Sequence, residues 1–407
     1  MCKDTKKNLV GQPIFSQIVQ LLPKNKFDRL VKRYQSDRYY KTFHSWDQLI
    51  TMLYGVLSRC DSMGELCDSL RAFGGKLNYL NLDCSPAKST AGDALRDRPN
   101  ELFEDFYLML LKHFAPLLSV SRIENVRFEK FYAFDSTTIS LFSEVMKGVG
   151  RNRKDDGKKK GGLKVHMLTD IHADSAKFVK MSEAKRHDKN FLQDLTLSKG
   201  SMIVFDKAYN EYKQFAKWSQ KEVWFVAPMK KNAVSQIQDV MFEQVLPPNT
   251  KGVSCDAHIH LSYKEDKVVK TLCLRKVNYT DELGRKHTFL TNNWIITAEE
   301  VALLYKHRWS IETVFKKLKQ NFQLHFFWSD TENGIKTQVW ITLIAHLLLN
   351  VLKRKSCSNK AFSTIAALIR MHLPTHLDLT WLITEGRRTY CRKTKNKGPT
   401  LVQQELF

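Results

Sequence analysis

LYKHRWSIETVFKKLKQNF, residues 304–322, decides how the rest of this chain reads. The spacing predicts a single amphipathic helix. At about 100° per residue counted from Tyr305, the side chains of Tyr305, Arg308, Glu312 and Lys319 share an arc of roughly 60°. Ile311, Val314, Phe315, Leu318 and Phe322 fill the sector beside that arc. One edge then packs on a core, and a phenol, a guanidinium, a carboxylate and an ammonium line its border. A solvated face would mix its charges at looser spacing. The plainer reading, an amphipathic helix with incidental i, i+4 pairs, stays open on this stretch alone.

The chain has 407 residues, enough for two or three domains and a sizeable core. A hydrophobic share of 43% and a charged share of 26% are ordinary for a globular protein. A net charge of +23 and a pI near 9.6 are not. The basic excess is spread along the chain, with dense runs at 147–164 and 387–397. Such a balance predicts a polyanionic partner, nucleic acid first and an anionic membrane surface second. No N-terminal apolar signal region is visible. The most apolar run, 339–352, is too short and interrupted to span a bilayer and predicts a buried helix. Cys2, Cys60, Cys67, Cys84, Cys255, Cys273, Cys357 and Cys391 form no CxxC pair and no Cys/His cluster of zinc-finger spacing. Reduced thiols in a cytoplasmic protein are the expectation.

Residues 1–95 carry apolar residues at helical spacing over 15–22, 27–34, 46–57 and 63–73, broken by Pro23 and by Gly74 and Gly75. Lys24, Lys26, Arg29, Lys32, Arg33, Arg38 and Lys41 crowd its first half. A small basic helical module predicts DNA docking, and a plain helical cap on the core is the alternative. Residues 86–98 read as a hinge and a short helix, and 101–118 as an amphipathic helix. The character then changes. RFEKFYAFDSTTISLF, residues 127–142, is aromatic and β-branched and predicts a strand running into Asp135. Residues 147–164 read as a glycine- and lysine-rich loop. Two strands follow at 163–170 and 176–183, then a helix at 189–198. SMIVFD, 201–206, reads as a buried strand ending in an acid. A helix at 209–221 and a strand at 222–228 come next. From 255 to 294 the chain alternates like strands, which predicts a β-rich insertion in an α/β domain. Thr297 and Glu300 form a capping box ahead of the signature helix. Apolar helices at 338–353 and 362–372 precede a basic tail.

Asp135 and Asp206 each sit at or near the end of a predicted strand, and Glu312 sits on a helix far downstream. Buried acids are costly unless something compensates them. Three carboxylates converging in one site would make oxygen-rich ligation for Mg²⁺ or Mn²⁺. Two such ions roughly 3.5–4 Å apart activate an attacking oxygen and stabilise a leaving one in phosphoryl transfer. The basic excess points to a phosphodiester backbone as substrate, so nuclease or strand-transfer chemistry follows from the residues. For either aspartate alone a turn or cap role stays open. His258 and His260 alternate with Ala257 and Ile259, which fits a metal site or, more simply, a solvent-facing strand edge.

The chain resembles DDE transposases of the bacterial insertion-sequence group marked by a Y-R-E-K signature. That signature is Tyr, two residues, Arg, three residues, Glu, six residues, Lys, and Tyr305, Arg308, Glu312 and Lys319 stand at those intervals. FYAFDSTTI around Asp135 and IVFDKAY around Asp206 resemble the family's first- and second-acid motifs. GGLKVH and KRHDKN, with His187 and Asp188, resemble its connecting strands. FSQIVQLLP, FDRLVKRY and SWDQLITMLYG resemble an N-terminal domain of one branch of these elements. STAGDALRDR matches only loosely, and nothing beyond about 357 matches. The resemblance covers most of residues 12–350.

The resemblance implies an α/β ribonuclease H-like catalytic domain, residues 96–222 and 297–356, with a β-rich insertion at 223–296. A helical DNA-binding domain at 1–95 would precede it, and a helical, basic C-terminal region at 357–407 would follow. Asp135, Asp206 and Glu312 would be catalytic acids and ligands of two Mg²⁺ or Mn²⁺ ions. Water would cut one strand at the element end and free a 3′-hydroxyl. That hydroxyl would attack the opposite strand to form a hairpin, which is then reopened, and the freed 3′ end would attack target DNA. Tyr305, Arg308 and Lys319 would grip phosphates, with Lys164 and His166 bordering the site. Trp294, Trp309 and Trp328 are candidates to stack on a flipped base, Trp309 foremost, though a core role is open to each. The implied partners are the element's terminal inverted repeats, target DNA and a second copy of the chain, with no membrane. The implied place is the bacterial cytoplasm, on the nucleoid when DNA is bound. Two rival readings are a ribonuclease H-like nuclease without strand transfer and an inactive DNA-binding relative. The Tyr305–Lys319 clamp and the insertion favour strand transfer, and the intact acids speak against inactivity.

Overall fold

The structure, a computed structural model, describes residues 10–384 except 74–76, 81, 119–122, 124–125, 141–161, 184–187, 231–232, 234–235, 246–251, 323 and 325. Most of the basic loop expected at 147–164, His187, Cys2, Cys391 and the basic tail lie outside the described residues.

The first third is helical: α1 (Ile14–Val19), α2 (Lys24–Tyr34), α3 (Ser45–Ser58), α4 (Met63–Arg71), α5 (Lys88–Asp97) and α6 (Glu101–Leu118). Then come β1 (Phe131–Ser140), β2 (Gly162–Asp170), β3 (Ser175–Glu183), β4 (Met202–Phe205), α7 (Tyr212–Gln220) and β5 (Trp224–Pro228). The helix expected at 189–198 is a short 3₁₀ stretch, Asp188–Asp194. Strands β6 (Ile237–Val245), β7 (Val253–Glu265), β8 (Val268–Thr280) and β9 (Lys286–Thr291) follow. Helices α8 (Ala298–Lys306), α9 (Trp309–Phe322), α10 (Glu332–Lys355), α11 (Phe362–His372) and α12 (Leu379–Thr384) complete the described chain.

All nine strands form one sheet in the order β3-β2-β1-β4-β5-β9-β8-β7-β6. β1, β4 and β5 are parallel neighbours, and β2 runs antiparallel to both β1 and β3. A three-strand antiparallel meander joined to parallel strands is the ribonuclease H-like arrangement, so the α/β expectation holds. The insertion is not a separate β unit: β9 pairs with β5 and carries β8, β7 and β6 outward in the same sheet. β5 lies inside the stretch expected as insertion, yet it pairs with β4, so the parallel core runs on to Pro228. The β7–β8 hairpin turns on Asp266 and Lys267 at φ of 50° and 68°. Positive φ at both central residues matches the right-handed twist of the flanking strands.

Two apolar cores cover the sheet's faces. The smaller packs Phe205, Phe215, Trp218 and Phe225 beneath α7. The larger runs from Ile14 to Ile383 and includes α10, which is buried along most of its length. The N-terminal helices therefore share this core rather than pack on themselves. Arg98, buried after α5, fastens the loop behind α2 by donating to the carbonyls of Ser36 and Phe43 and to Gln48. The C-terminal segment docks on α1, where Ile14 and Phe15 amides donate to the carbonyls of Thr375 and Leu373. The apolar run 339–352 lies within α10, which at 24 residues is the only helix among the described residues with the length and composition of a bilayer span. Its apolar window is 94% buried within the protein, as the expectation of a buried helix requires.

The stretch 304–322 is two helices, not one. His307, Arg308, Ser310 and Ile311 amides bond three residues back, to Leu304, Tyr305, His307 and Arg308. These 3₁₀ bonds turn the chain between α8 and α9. Tyr305 ends on α8, Arg308 stands in the turn, and Glu312 and Lys319 ride on α9. The continuous 60° arc is thus corrected: the four residues are gathered by a kink rather than by one helical face. Thr297 and Glu300 do form the expected capping box, on α8.

Candidate active site

Alternation along the strands sets where the two aspartates point. Phe131↔Met202 through Phe134↔Phe205 are register partners on β1 and β4. Phe131, Ala133, Met202 and Val204 enter the larger core, while Phe134, Ile203 and Phe205 enter the smaller. Asp135 and Asp206, one step on, therefore both take the face of the larger core. Helix α9 lies on that face through Ile311, Val314, Phe315 and Leu318, which puts Glu312 at its border.

Arg308 links the acids. Its Nη1 donates to Asp135 Oδ2 at 3.2 Å and lies 2.8 Å from Glu312 Oε1. The Arg308 side chain is 11% exposed, that of Asp135 19% and that of Glu312 40%. Burial pushes the Asp135 carboxyl up to about 6. The Ser136 amide, 2.8 Å from Oδ1, and Arg308 pull it down, while Asp206 and Glu312 push it further up. Asp206 Oδ1 accepts the Ala208 amide at 2.9 Å and caps the 3₁₀ turn Lys207–Tyr209. On Arg308 burial acts downward, but Tyr305, Asp135 and Glu312 outweigh it and hold the group cationic. Its Nε is buried without a hydrogen-bond partner.

The other signature residues surround this pair of contacts. Burial raises the Tyr305 phenol to about 12, so it stays a proton donor near neutrality. Its ring packs on Phe289 of β9 at 4.7 Å. Lys319 Nζ donates to the Thr138 carbonyl of β1 at 3.2 Å, and burial lowers its pKa. Trp309, 61% exposed, sits with its ring centroid 5.6 Å from the Arg308 guanidinium carbon.

Some expected site residues lie elsewhere. Leu163, Val165 and Met167 of β2 enter the larger core, so Lys164 and His166 take the opposite face from Asp135. His166 is buried there, stacked on Phe191 at 3.6 Å. The expectation that these two border the acids is corrected by that alternation. Trp328 is core: its Nε1 donates to the Cys60 carbonyl and its ring meets α3 at Gly55. Trp294 is half-exposed on the insertion, edge-on to His258 at 4.6 Å. His258 lies between Phe242 and Trp294, and His260 pairs with Asp239 at 2.8 Å.

A cleft of about 440 Å³ opens beside Asp206 and Arg308. Tyr279, His287 and Phe289 of the insertion wall it on one side, and Tyr305 and Trp309 on the other. The insertion residues were not singled out from the sequence. Their signal was the strand alternation in KVNYT and KHTFLT, which marks a face but not what it faces.

Three carboxylates are the hard oxygen donors that Mg²⁺ and Mn²⁺ prefer. The donor chemistry fits a divalent ion. As the side chains stand, no three His, Cys, Asp or Glu among the described residues are arranged to hold one. Asp135 and Glu312 close on the Arg308 guanidinium instead.

Comparison with known proteins follows the same residues. Residues 127–348 match the family model described as a transposase DDE domain, and 10–80 match a domain of unknown function. A Sinorhizobium fredii protein named as a transposase is 26% identical over 293 residues, covering 71% of this chain and 78% of its own. A Geobacillus stearothermophilus protein named as the transposase of an insertion sequence element is 27% identical over 286 residues, covering 67% and 72%. The transposase of a Bacillus thuringiensis insertion sequence element is 21% identical over 385 residues, covering 81% and 75%. Among solved structures, piggyBac transposase in a synaptic complex with hairpin DNA gives a TM-score of 0.40 at 10% identity, over 91% of this chain and 82% of that one.

Proposed function

The chain belongs to the family of transposases that carry a DDE domain, and on that premise we propose that Asp135, Asp206 and Glu312 are its catalytic acids. It is an insertion-sequence transposase, which cleaves DNA and transfers the cut strand, and DDE domains of this kind use divalent ions. The observation that carries the assignment is the register of β1 and β4. It sends Asp135 and Asp206 to one face, with Glu312 one guanidinium away.

Two Mg²⁺ or Mn²⁺ ions held by these acids would activate the attacking oxygen and stabilise the leaving one. The chain's own groups do the rest. Arg308 offers Nε and a planar fork to a phosphate. Tyr305 donates its hydroxyl to a phosphate oxygen. Lys319 ties α9 to β1 beyond Asp135, so it positions Glu312 as well as adding charge at the phosphate path. Trp309 and the aromatic cleft beside Arg308 accept an unstacked base at the element end. The exposed cations of α2 dock the DNA that leads to the site. Residues 96–228 and 297–356 form the catalytic unit in this reading. Two copies act together because two ends must be cut, and the end passes through a hairpin. The chain works in the bacterial cytoplasm, on the nucleoid when DNA is bound.

The test is incubation with a linear duplex carrying the element's own ends and Mg²⁺ or Mn²⁺. End cleavage, hairpins and joined products are expected. Random nicking without joining would favour the nuclease reading, and strand transfer by Asp206→Asn or Glu312→Gln would defeat the acid assignment.

A further inference from the structure

We propose that Arg308 is the resident counter-cation of the acid cluster, and that a DNA phosphate must draw it away before a divalent ion can enter. DNA then binds first and metal second. The proposal rests on the reading of Asp135, Asp206 and Glu312 as metal ligands.

The geometry makes the two cations exclusive. One nitrogen, Nη1, stands 3.2 Å from Asp135 Oδ2 and 2.8 Å from Glu312 Oε1. An ion ligated by those same two oxygens at about 2.0–2.1 Å would occupy the space of that nitrogen. Once Arg308 has turned to the phosphate, the two acids lack their counter-cation until the metal replaces it, which raises the site's affinity for the ion. Breaking a buried ion pair without replacement is strongly unfavourable.

The place of Arg308 in the chain permits the move. It lies in the 3₁₀ turn between α8 and α9, so its direction can change without unwinding either helix. It also has a second partner prepared for. Nε is buried and unbonded, and the guanidinium lies 5.7 Å from the Tyr305 ring and 5.6 Å from the Trp309 ring. A phosphate entering between those rings meets Nε and one Nη as a planar fork, which suits phosphate better than a single shared Nη1 suits two carboxylates. The consequence for the enzyme is an acid site that binds metal more weakly until DNA lies in place. Binding free energies are reciprocal, so metal must tighten DNA by the same factor that DNA tightens metal.

The test measures Mn²⁺ binding to the full chain by the paramagnetic resonance of free Mn²⁺, with and without a short mixed-sequence duplex. Duplex should tighten Mn²⁺ binding to the unaltered protein on the order of tenfold, within the range usual for coupled sites. Without duplex, Arg308→Gln should bind Mn²⁺ on the order of tenfold more tightly than the unaltered protein. Lys199→Gln removes the same charge from an exposed lysine that pairs with Glu222 outside the site and should leave Mn²⁺ binding nearly unchanged. Asp135→Asn and Asp206→Asn should lose most of it. Three results overturn the proposal while leaving the metal ligands standing: no effect of duplex on the unaltered protein, no gain in Arg308→Gln, or an equal gain in Lys199→Gln. Unaltered Mn²⁺ binding in both aspartate variants overturns the ligand reading itself.

Discussion

Asp135 within β1 and Asp206 just past the end of β4 stand side by side on adjacent parallel strands, one step past the register pair Phe134↔Phe205. Neighbouring strands lie about 4.8 Å apart, so two carboxylates on one face at that spacing repel unless cations compensate them. Removing either charge relaxes the empty site and removes chemistry. Asp206→Asn and Glu312→Gln should each lower end cleavage on the order of 10³-fold or more, the effect of several kcal/mol at the transition state. Thermal melting should show both variants folded. Cleavage within tenfold of the unaltered protein would sink the assignment.

The tryptophans give opposite expectations. Trp309 is 61% exposed beside Arg308, whereas Trp328 is 9% exposed and bonded to the Cys60 carbonyl. Trp309→Ala should leave the melting temperature nearly unchanged and weaken binding of end DNA, since stacking contributes about 1–3 kcal/mol per base. Trp328→Ala should destabilise by about 3–5 kcal/mol, as large aromatic truncations in cores do. Denaturant titration and a binding assay on the same two proteins separate the effects.

Gly55 marks the tightest approach beneath Trp328. A Cβ there would lie 2.7 Å from the Trp328 Cη2 and 2.9 Å from a Leu66 methyl. Gly55→Ala should therefore cost about 1–3 kcal/mol through overpacking, even though alanine suits a helix better than glycine. A stabilised variant would show that α3 and the Trp328 loop separate more freely than the packing implies.

His346 lies fully enclosed in α10, and burial lowers its pKa to about 4. Asp174 acts upward and Lys317 downward on it. The unfolded chain binds this proton below about 6.5 and the folded chain only below about 4, so stability rises with pH across that window. Acidification from 6.5 towards 4 should cost up to about 3 kcal/mol at this one group. His346→Gln should flatten that part of the stability profile. A profile parallel to that of the unaltered protein would mean that other groups govern acid unfolding.

Much of the site could be read from residue types and their order. An aromatic and β-branched run gave β1, though the strand expected to end at Asp135 runs on to Ser140; a short apolar run gave β4 with Asp206, and the spacing after Tyr305 gave Glu312. The turn at His307–Arg308 carries neither glycine nor proline, so nothing local signalled it. It comes from the demand that Tyr305 meet Phe289 while Arg308 meets Asp135, which is tertiary. Lys164 and His166 stand near the acids in motif order, but the alternation of β2 sends them through the sheet. Helical periodicity over 15–73 showed that apolar faces existed. It could not show that they would pack on α10, more than two hundred residues downstream, instead of on one another.

The continuity of the sheet has a mechanical side. Strands in a sheet rotate by about 20–25° at each junction, so eight junctions turn β6 through roughly half a revolution relative to β3. The outer strands thus form a curved arm rather than a flap on a hinge. That arm is bonded to β5 through β9, and β5 to β4, the strand that carries the chain into Asp206. A load on its tip is transmitted along a hydrogen-bonded ribbon to one of the acids, with no flexible joint among those pairings to absorb it.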